Sequence, residues 1–175
     1  KKVNMSFDMP RTKVRVVGVG GGGSNIVEEI ASRVPRIDFF AANTDLQDLK
    51  KVPGRVRAFP FGQKLTRGLG CGMDAGLGEQ AARSEKERIK KLFEGQDVSI
   101  LIASLGGGTG SGAVPVFAEA AREAKNLALG IFTMPFEFEG KKRKEIAQAS
   151  LEKLRPLAKA YTVNPNERIF KTIEK

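Results

Sequence analysis

Residues 98–112 read VSILIASLGGGTGSG, and this stretch decides the fold. Its first part, residues 98–105, is an uncharged apolar run of strand length, and residues 98–104 read as a strand buried on both faces. Its second part, residues 106–112, holds only glycine, threonine and serine. Glycine lets a backbone approach a ligand closely or take positive φ, so the segment reads as a loop built for close approach. Residues 113–125 read as the helix that this loop feeds. Pro115 falls in the first turn of that helix, where a missing N–H costs nothing.

The same alternation extends in both directions. Upstream, residues 13–19 form a β-branched run ending in glycine, followed by a glycine loop over residues 20–24. Residues 25–33 have helical spacing, with Ile26, Ile30 and Val34 along one face. Residues 38–42 and 55–59 read as short strands, residues 61–78 as a long glycine-rich loop, and residues 79–93 as a charged amphipathic helix. Downstream come a strand over 127–133, a helix over 141–157, a last strand over 160–163 and the opening of another helix from 167. Residues 1–12 lack periodicity and read as a flexible N-terminal arm, leaving residues 13–175 as one domain. Strands alternating with helices predict an α/β, Rossmann-like three-layer domain: a mostly parallel sheet with helices on both faces. In such sheets ligands sit beyond the carboxyl ends of the strands, where every glycine-rich loop of this chain emerges.

Composition removes several classes of chemistry. The chain has no histidine and a single cysteine, Cys71. That excludes an intrachain disulfide, a Cys/His zinc site, and Ser-His-Asp or Cys-His catalysis. One cysteine also fits a reducing, cytoplasmic setting. No apolar run is long enough to cross a bilayer as a helix, and no secretory signal pattern is seen, so direct membrane insertion is not expected. The net charge is +10, but the cations are dispersed. The densest run, Lys141-Lys142-Arg143-Lys144, opens a helix, and with no Trp and one Tyr there is no stacking ladder for bases. Nucleic acid is therefore not expected as the main partner. A solvated basic face that attracts a polyanionic nucleotide is the better reading.

The chain holds two candidate phosphate cradles. Gly18-Val19-Gly20-Gly21-Gly22-Gly23 satisfies G-x-G-x-x-G between a strand and a helix. A helix N-terminus there supplies free N–H donors and partial positive charge. Residues 106–112 form a second such nest. A dinucleotide fold needs one cradle, and it also needs an acid at the end of the second strand. Asp38 begins that strand and Asp45 lies beyond it, so an NAD(P)-binding half-domain of an oxidoreductase stays open without fitting well. Two cradles in one sheet favour a triphosphate. No G-x-x-x-x-G-K-[ST] occurs, which excludes the P-loop solution.

With GGGTGSG at its centre, the sequence resembles the tubulin/FtsZ superfamily over roughly residues 13–175, and FtsZ most of all. The segments VGVGGGGSN, FFAANTDLQDL, GLGCGMDAG, GGGTGSGAVPVFAE, TMPFEFEGKKR and NPNER occur in the family's order. The resemblance implies a GTP- and GDP-binding domain. It places Gly21, Gly22, Gly23, Ser24 and Asn25 against the phosphates, with Asn43, Thr44 and Asp45 lining the site. It makes Gly70, Cys71 and Gly72 the loop that senses the γ-phosphate, with Cys71 a small space-filler rather than a nucleophile. Gly107, Gly108, Thr109 and Gly110 become the signature phosphate contacts. Thr133, Pro135, Glu139 and Arg143 fall at the ribose and phosphate edges, although Glu139 and Arg143 also fit an ordinary salt bridge at a helix start. Asn166 corresponds to the asparagine that reads the guanine edge.

The resemblance further implies a cytoskeletal GTPase that polymerises head to tail with other FtsZ-like subunits for cell division, in the cytoplasm at the division site. Mg2+ would be held mainly through nucleotide phosphates and water. The chain is expected to stop before the family's central helix, catalytic acidic loop and C-terminal domain. No catalytic residue is therefore expected within it, and its own C-terminal half is an expected partner. A non-catalytic interaction module that kept the fold and lost the ligand is the remaining alternative.

Overall fold

The computed structural model describes residues 11–165. Six strands form one sheet in the order β3-β2-β1-β4-β5-β6: β1 Val14–Val19, β2 Asp38–Asn43, β3 Arg57–Pro60, β4 Val98–Ser104, β5 Leu127–Met134 and β6 Ala160–Pro165. Every neighbouring pair is parallel. The helices are α1 Gly20–Ala31, α2 Leu46–Leu49, α3 Gln63–Thr66, α4 Ala75–Ser84, α5 Lys86–Lys91, α6 Gly108–Glu123 and α7 Lys141–Leu154. This is the expected Rossmann-like three-layer arrangement. Strand order reverses between β1 and β4, and Val19 pairs with Ala103 there, so the two glycine segments leave the sheet side by side.

Alternation along the strands divides the core between the two faces. Val17, Val19, Phe40, Ala42 and Leu101 face α4, α5, α6 and α7. On that side Phe117 of α6 meets Phe59, Phe61 and Phe93 edge-on, at centroid distances of 6.4, 5.3 and 6.4 Å. Val16, Phe39, Ala41 and Ile102 face the other way, onto Val27 and Ala31 of α1 and Leu49 of α2.

Several expected boundaries move. Both helices after the glycine segments begin earlier than their sequence suggests: α1 at Gly20 instead of residue 25, and α6 at Gly108 instead of residue 113. The glycines are the first turns of the helices, because close packing overrides their poor helix propensity. A Cβ on Gly23 would strike the Ile102 carbonyl of β4. A Cβ on Gly112 would lie 2.7 Å from the Glu79 nitrogen and press on the Ala75 carbonyl, so only glycine lets α4 and α6 approach this closely.

The early start also puts Pro115 inside α6, not in its first turn. Proline cannot donate to the Ser111 carbonyl four residues back. The Ser150 hydroxyl of α7 donates to it instead, at 2.7 Å and fully buried. The expected loop over 61–78 contains the short α3 and the first turn of α4, where the Asp74 side chain accepts from the Leu77 N–H at 2.9 Å. The expected single helix over 79–93 divides at Glu85, whose φ of −122° and ψ of 23° leave the helical region.

Candidate nucleotide site

The site begins with two helix N-termini that meet. Neither α1 nor α6 carries a side-chain N-cap or an acidic residue in its first turn. Their leading N–H groups and positive dipole ends are therefore left for an anion. The two ends touch: a Cβ on Gly20, which has φ +76°, would lie 2.7 Å from the Gly110 nitrogen. In α6 the Gly108 N–H is taken by the Gly72 carbonyl at 2.8 Å, which ties the loop ahead of α4 to the cradle. Thr109 and Gly110 follow it in the same first turn.

A pocket of about 260 Å³ opens between these ends. Gly21, Gly22, Gly72, Gly107, Gly108, Thr109, Gly110, Pro135, Glu139 and Arg143 line it, all of them expected from the sequence, together with Ser104 and Leu105, which were not. The glycines divide by task. Nothing lies within 4 Å of a Cβ placed on Gly107, and only the Asp48 carboxylate, at 3.7 Å, approaches one on Gly21. These two open onto solvent and the pocket. Gly108 meets the Cys71 and Asp74 carbonyls at 2.8 Å and serves packing as well as lining.

The remaining expected residues build the walls. Asn43 Oδ1 accepts from the Thr44 N–H at 2.8 Å and the Asp45 N–H at 3.3 Å, turning the chain at the end of β2. The Asp45 carboxylate caps α2, accepting from the Gln47 N–H at 2.8 Å and the Asp48 N–H at 3.3 Å. Thr44 Oγ1 lies 2.7 Å from Thr109 Oγ1 and 3.5 Å from Cys71 Sγ, all three residues being buried. Cys71 thus fills space beneath the cradle. Gly70 and Gly72 take φ of +79° and +55°, a conformation that favours glycine. Gly23 and Ser24 are buried in α1, and Asn25 stands outside the pocket lining. The Thr133 carbonyl accepts from the Leu105 N–H at 2.9 Å, so this residue holds the floor rather than lining it. Asn166 lies outside the described residues.

At the rim, Glu139 Oε1 accepts from the Phe136 N–H at 2.8 Å, and its Oε2 pairs with Arg143 Nη1 at 3.3 Å. The ion pair weighed at the sequence level is present. Arg143 keeps further guanidinium donors to offer a bound anion. The dinucleotide reading loses its acid. Asp38 begins β2, at the end of the sheet away from the cradles, where a hydrogen bond from Arg15 at 2.8 Å holds its carboxyl below the usual range. Asp45 is occupied as a cap. Ser104 and Leu105 escaped notice because they end an apolar strand, and the glycines beside them carry the stronger signal.

Residues 13–174 match the GTPase domain of the Tubulin/FtsZ family. The chain belongs to this family. The cell division protein FtsZ of Coxiella burnetii is 40% identical over 164 residues, covering 93% of this chain and 42% of that protein. An FtsZ dimer from M. jannaschii superposes with a TM-score of 0.88 at 36% identity, over 93% of this chain and 48% of that one. A GTPgS-bound protofilament of CetZ2 from Haloferax volcanii gives a TM-score of 0.82 at 27% identity, over 89% of this chain and 50% of that one. The chain thus spans about half or less of the length of the Tubulin/FtsZ relatives it matches.

Proposed function

We propose that this domain binds GTP and GDP, and that its parent protein is a cytoskeletal GTPase polymerising into filaments for cell division. The observation that carries the proposal is the single pocket made where two uncapped helix N-termini meet. Paired anion sites suit a chain of phosphates better than one pyrophosphate. Membership of the Tubulin/FtsZ family and likeness to a GTPgS-bound protofilament support the same reading. Residues 13–175 are then one GTP-binding domain behind an N-terminal arm, with Asn166 reading the guanine edge. A site that pairs a polar base edge rejects a base that leaves its groups unpaired.

Hydrolysis would take place between stacked subunits. The N–H groups of Gly21, Gly22, Thr109 and Gly110 would stabilise charge on the phosphates, and Arg143 would hold their outer edge. A neighbouring subunit's acidic loop would position the attacking water. Among the described residues no three Asp, Glu or Cys side chains group to hold a metal ion. In this reading Mg2+ would be carried by phosphate oxygens and water, where it would neutralise phosphate charge. Partners in this reading are head-to-tail subunits and the protein's own C-terminal half, in the cytoplasm at the division site. No described helix is long and apolar enough to cross a membrane.

Calorimetric titration with GTP, GDP, ATP and NADH, with Mg2+ present, tests the reading. Guanine-selective binding is expected. Binding of NADH without GTP, or no binding of any guanine nucleotide, would refute it.

A further inference from the structure

The cations are dispersed along the sequence, but the fold gathers many of them. Five of the six strands are preceded, within two residues of their first, by a cation: Lys13 before β1, Arg36 before β2, Arg55 before β3, Lys125 before β5 and Lys159 before β6. The strands are all parallel, so these five residues share the amino edge of the sheet. All five are exposed. Among the described residues none of them is in an ion pair, and Arg55 donates only to the Val34 and Ile37 carbonyls, at 3.4 and 3.2 Å. Asp38, at the same edge, is already paired with Arg15. Glu94 and Asp97, both ahead of β4, are left to oppose the five cations. At the carboxyl edge, in contrast, Lys141, Arg143 and Lys144 each pair with a glutamate.

Attraction for the nucleotide does not account for this edge. Strand β4 has 7 residues, so at about 3.3 Å each the edge lies roughly 20 Å from the cradles, beyond two Debye lengths of about 8 Å. Helix dipoles account for Lys125, which follows the end of α6, but the other four lie outside the last turns of the helices. Arg36 and Lys125 have φ of +73° and +62°, where glycine would sit with less strain, so backbone geometry does not call for their side chains. Six strands about 4.8 Å apart make the edge roughly 24 Å wide, and the cations run across it from β3 to β6. Val34 and Leu127 stand exposed among them. A broad face of unpaired cations with interspersed apolar side chains matches an anionic bilayer, where cations meet headgroups and apolar groups enter the interface. A nucleic-acid backbone would use the cations and leave Val34 and Leu127 without a role.

We propose that the amino edge of the sheet is a docking face for an anionic lipid surface, on which the domain lies peripherally with both glycine cradles turned away from the lipid. The contact is separate from the nucleotide site and does not depend on it.

The test is cosedimentation of the chain with vesicles of phosphatidylcholine alone and of phosphatidylcholine mixed with an equal part of phosphatidylglycerol. It is run at about 0.1 M and about 1 M salt, between which the Debye length falls from about 10 to about 3 Å. Expected is binding to the anionic vesicles alone, lost at the higher salt. Arg36→Gly combined with Lys125→Gly removes two of the cations where glycine suits the backbone, so this variant should melt near the parent temperature. Each cation near such a surface is worth about fivefold, so the pair should weaken partitioning by about twentyfold or more. Lys64→Gln combined with Lys142→Gln removes the same charge from exposed positions toward the other edge and should partition like the parent. An equal fall in both double variants would show that net charge acts and not this face, and would overturn the proposal. So would equal binding to both kinds of vesicle, no binding to the anionic vesicles at the lower salt, or capture of a duplex DNA probe without any binding to vesicles.

Discussion

Replacing Gly112 with alanine separates two tasks that the GGGTGSG segment performs at once. The new Cβ would sit 2.7 Å from the Glu79 nitrogen and closer still to the Ala75 carbonyl oxygen. Both are backbone atoms of the α4 region, so no side-chain rotation relieves the contact. Ordinary carbon contacts begin near 3.5 Å, so α4 must move away from α6 by roughly 1 Å. Overpacking of this kind costs about 1–3 kcal/mol, and the backbone contact puts this site at the upper end. The gain in helix propensity from glycine to alanine returns about 1 kcal/mol at most. The expected net loss is about 2 kcal/mol, or a melting temperature lower by roughly 4–8 °C for a chain of this size. Gly107→Ala is the counterpart: nothing lies within 4 Å of its Cβ and its φ is −97°, so stability should stay within about 0.5 kcal/mol. Its methyl group would instead enter the pocket and weaken GDP binding by tenfold or more. Thermal melting and GDP titration on both variants give the answer. If Gly112→Ala melts like the parent, or Gly107→Ala binds GDP as the parent does, the division of the glycines between packing and ligand is wrong.

Further outcomes follow from contacts elsewhere. Ser150→Ala leaves the Ser111 carbonyl buried and unpaired, at about 1–2 kcal/mol; in a Pro115→Ala background the restored N–H should shrink that loss, and urea melts of the four proteins measure the coupling. Thr44→Val removes the Thr44–Thr109 hydrogen bond and should cost about 1 kcal/mol of stability with weaker GDP binding, whereas unchanged affinity would show that Thr109 needs no such support. Hydrogen bonds from Arg83 and Lys86 hold the Glu119 carboxyl below its ordinary range, and Lys153 and Arg83 do the same for Glu79. Because these folded-state values are depressed, their stabilisation is present above the unfolded glutamate value of about 4.3 and is lost as pH falls through the lower folded values. Glu119→Gln should therefore flatten the loss of stability between about pH 5 and 3, which urea melts across that window would reveal.

Much of the fold was legible because strand burial leaves a plain mark. Residues 98–104 were read as a strand, and β4 spans Val98–Ser104. The starts of α1 and α6 were not legible, since glycine is a poor helix former and only the tertiary contacts of Gly20–Gly23 and Gly108–Gly112 show why it opens a helix. Pro115 misled for a related reason: its missing hydrogen bond is answered by Ser150, far away in sequence. The four-residue helices α2 and α3 lie below the length at which periodicity can be seen. At the site, the glycine pattern and the family resemblance located the pocket. Neither distinguishes a residue that lines it, such as Gly107, from one that shapes the corner behind it, such as Asn43 or Asp45. Ser104 carried no pattern at all, because a serine ending an apolar strand looks like any strand terminus.

The meeting of α1 and α6 at Gly20 and Gly110 presses two like poles together. Each helix end carries roughly half a positive charge. Neither first turn carries an acidic side chain of its own to offset this charge. A polyanion between the poles turns a mutual repulsion into two attractions. In this domain the phosphates would act as a structural keystone as much as a substrate, and the β1–α1 and β4–α6 halves of the sheet would be least firmly joined where the chemistry takes place.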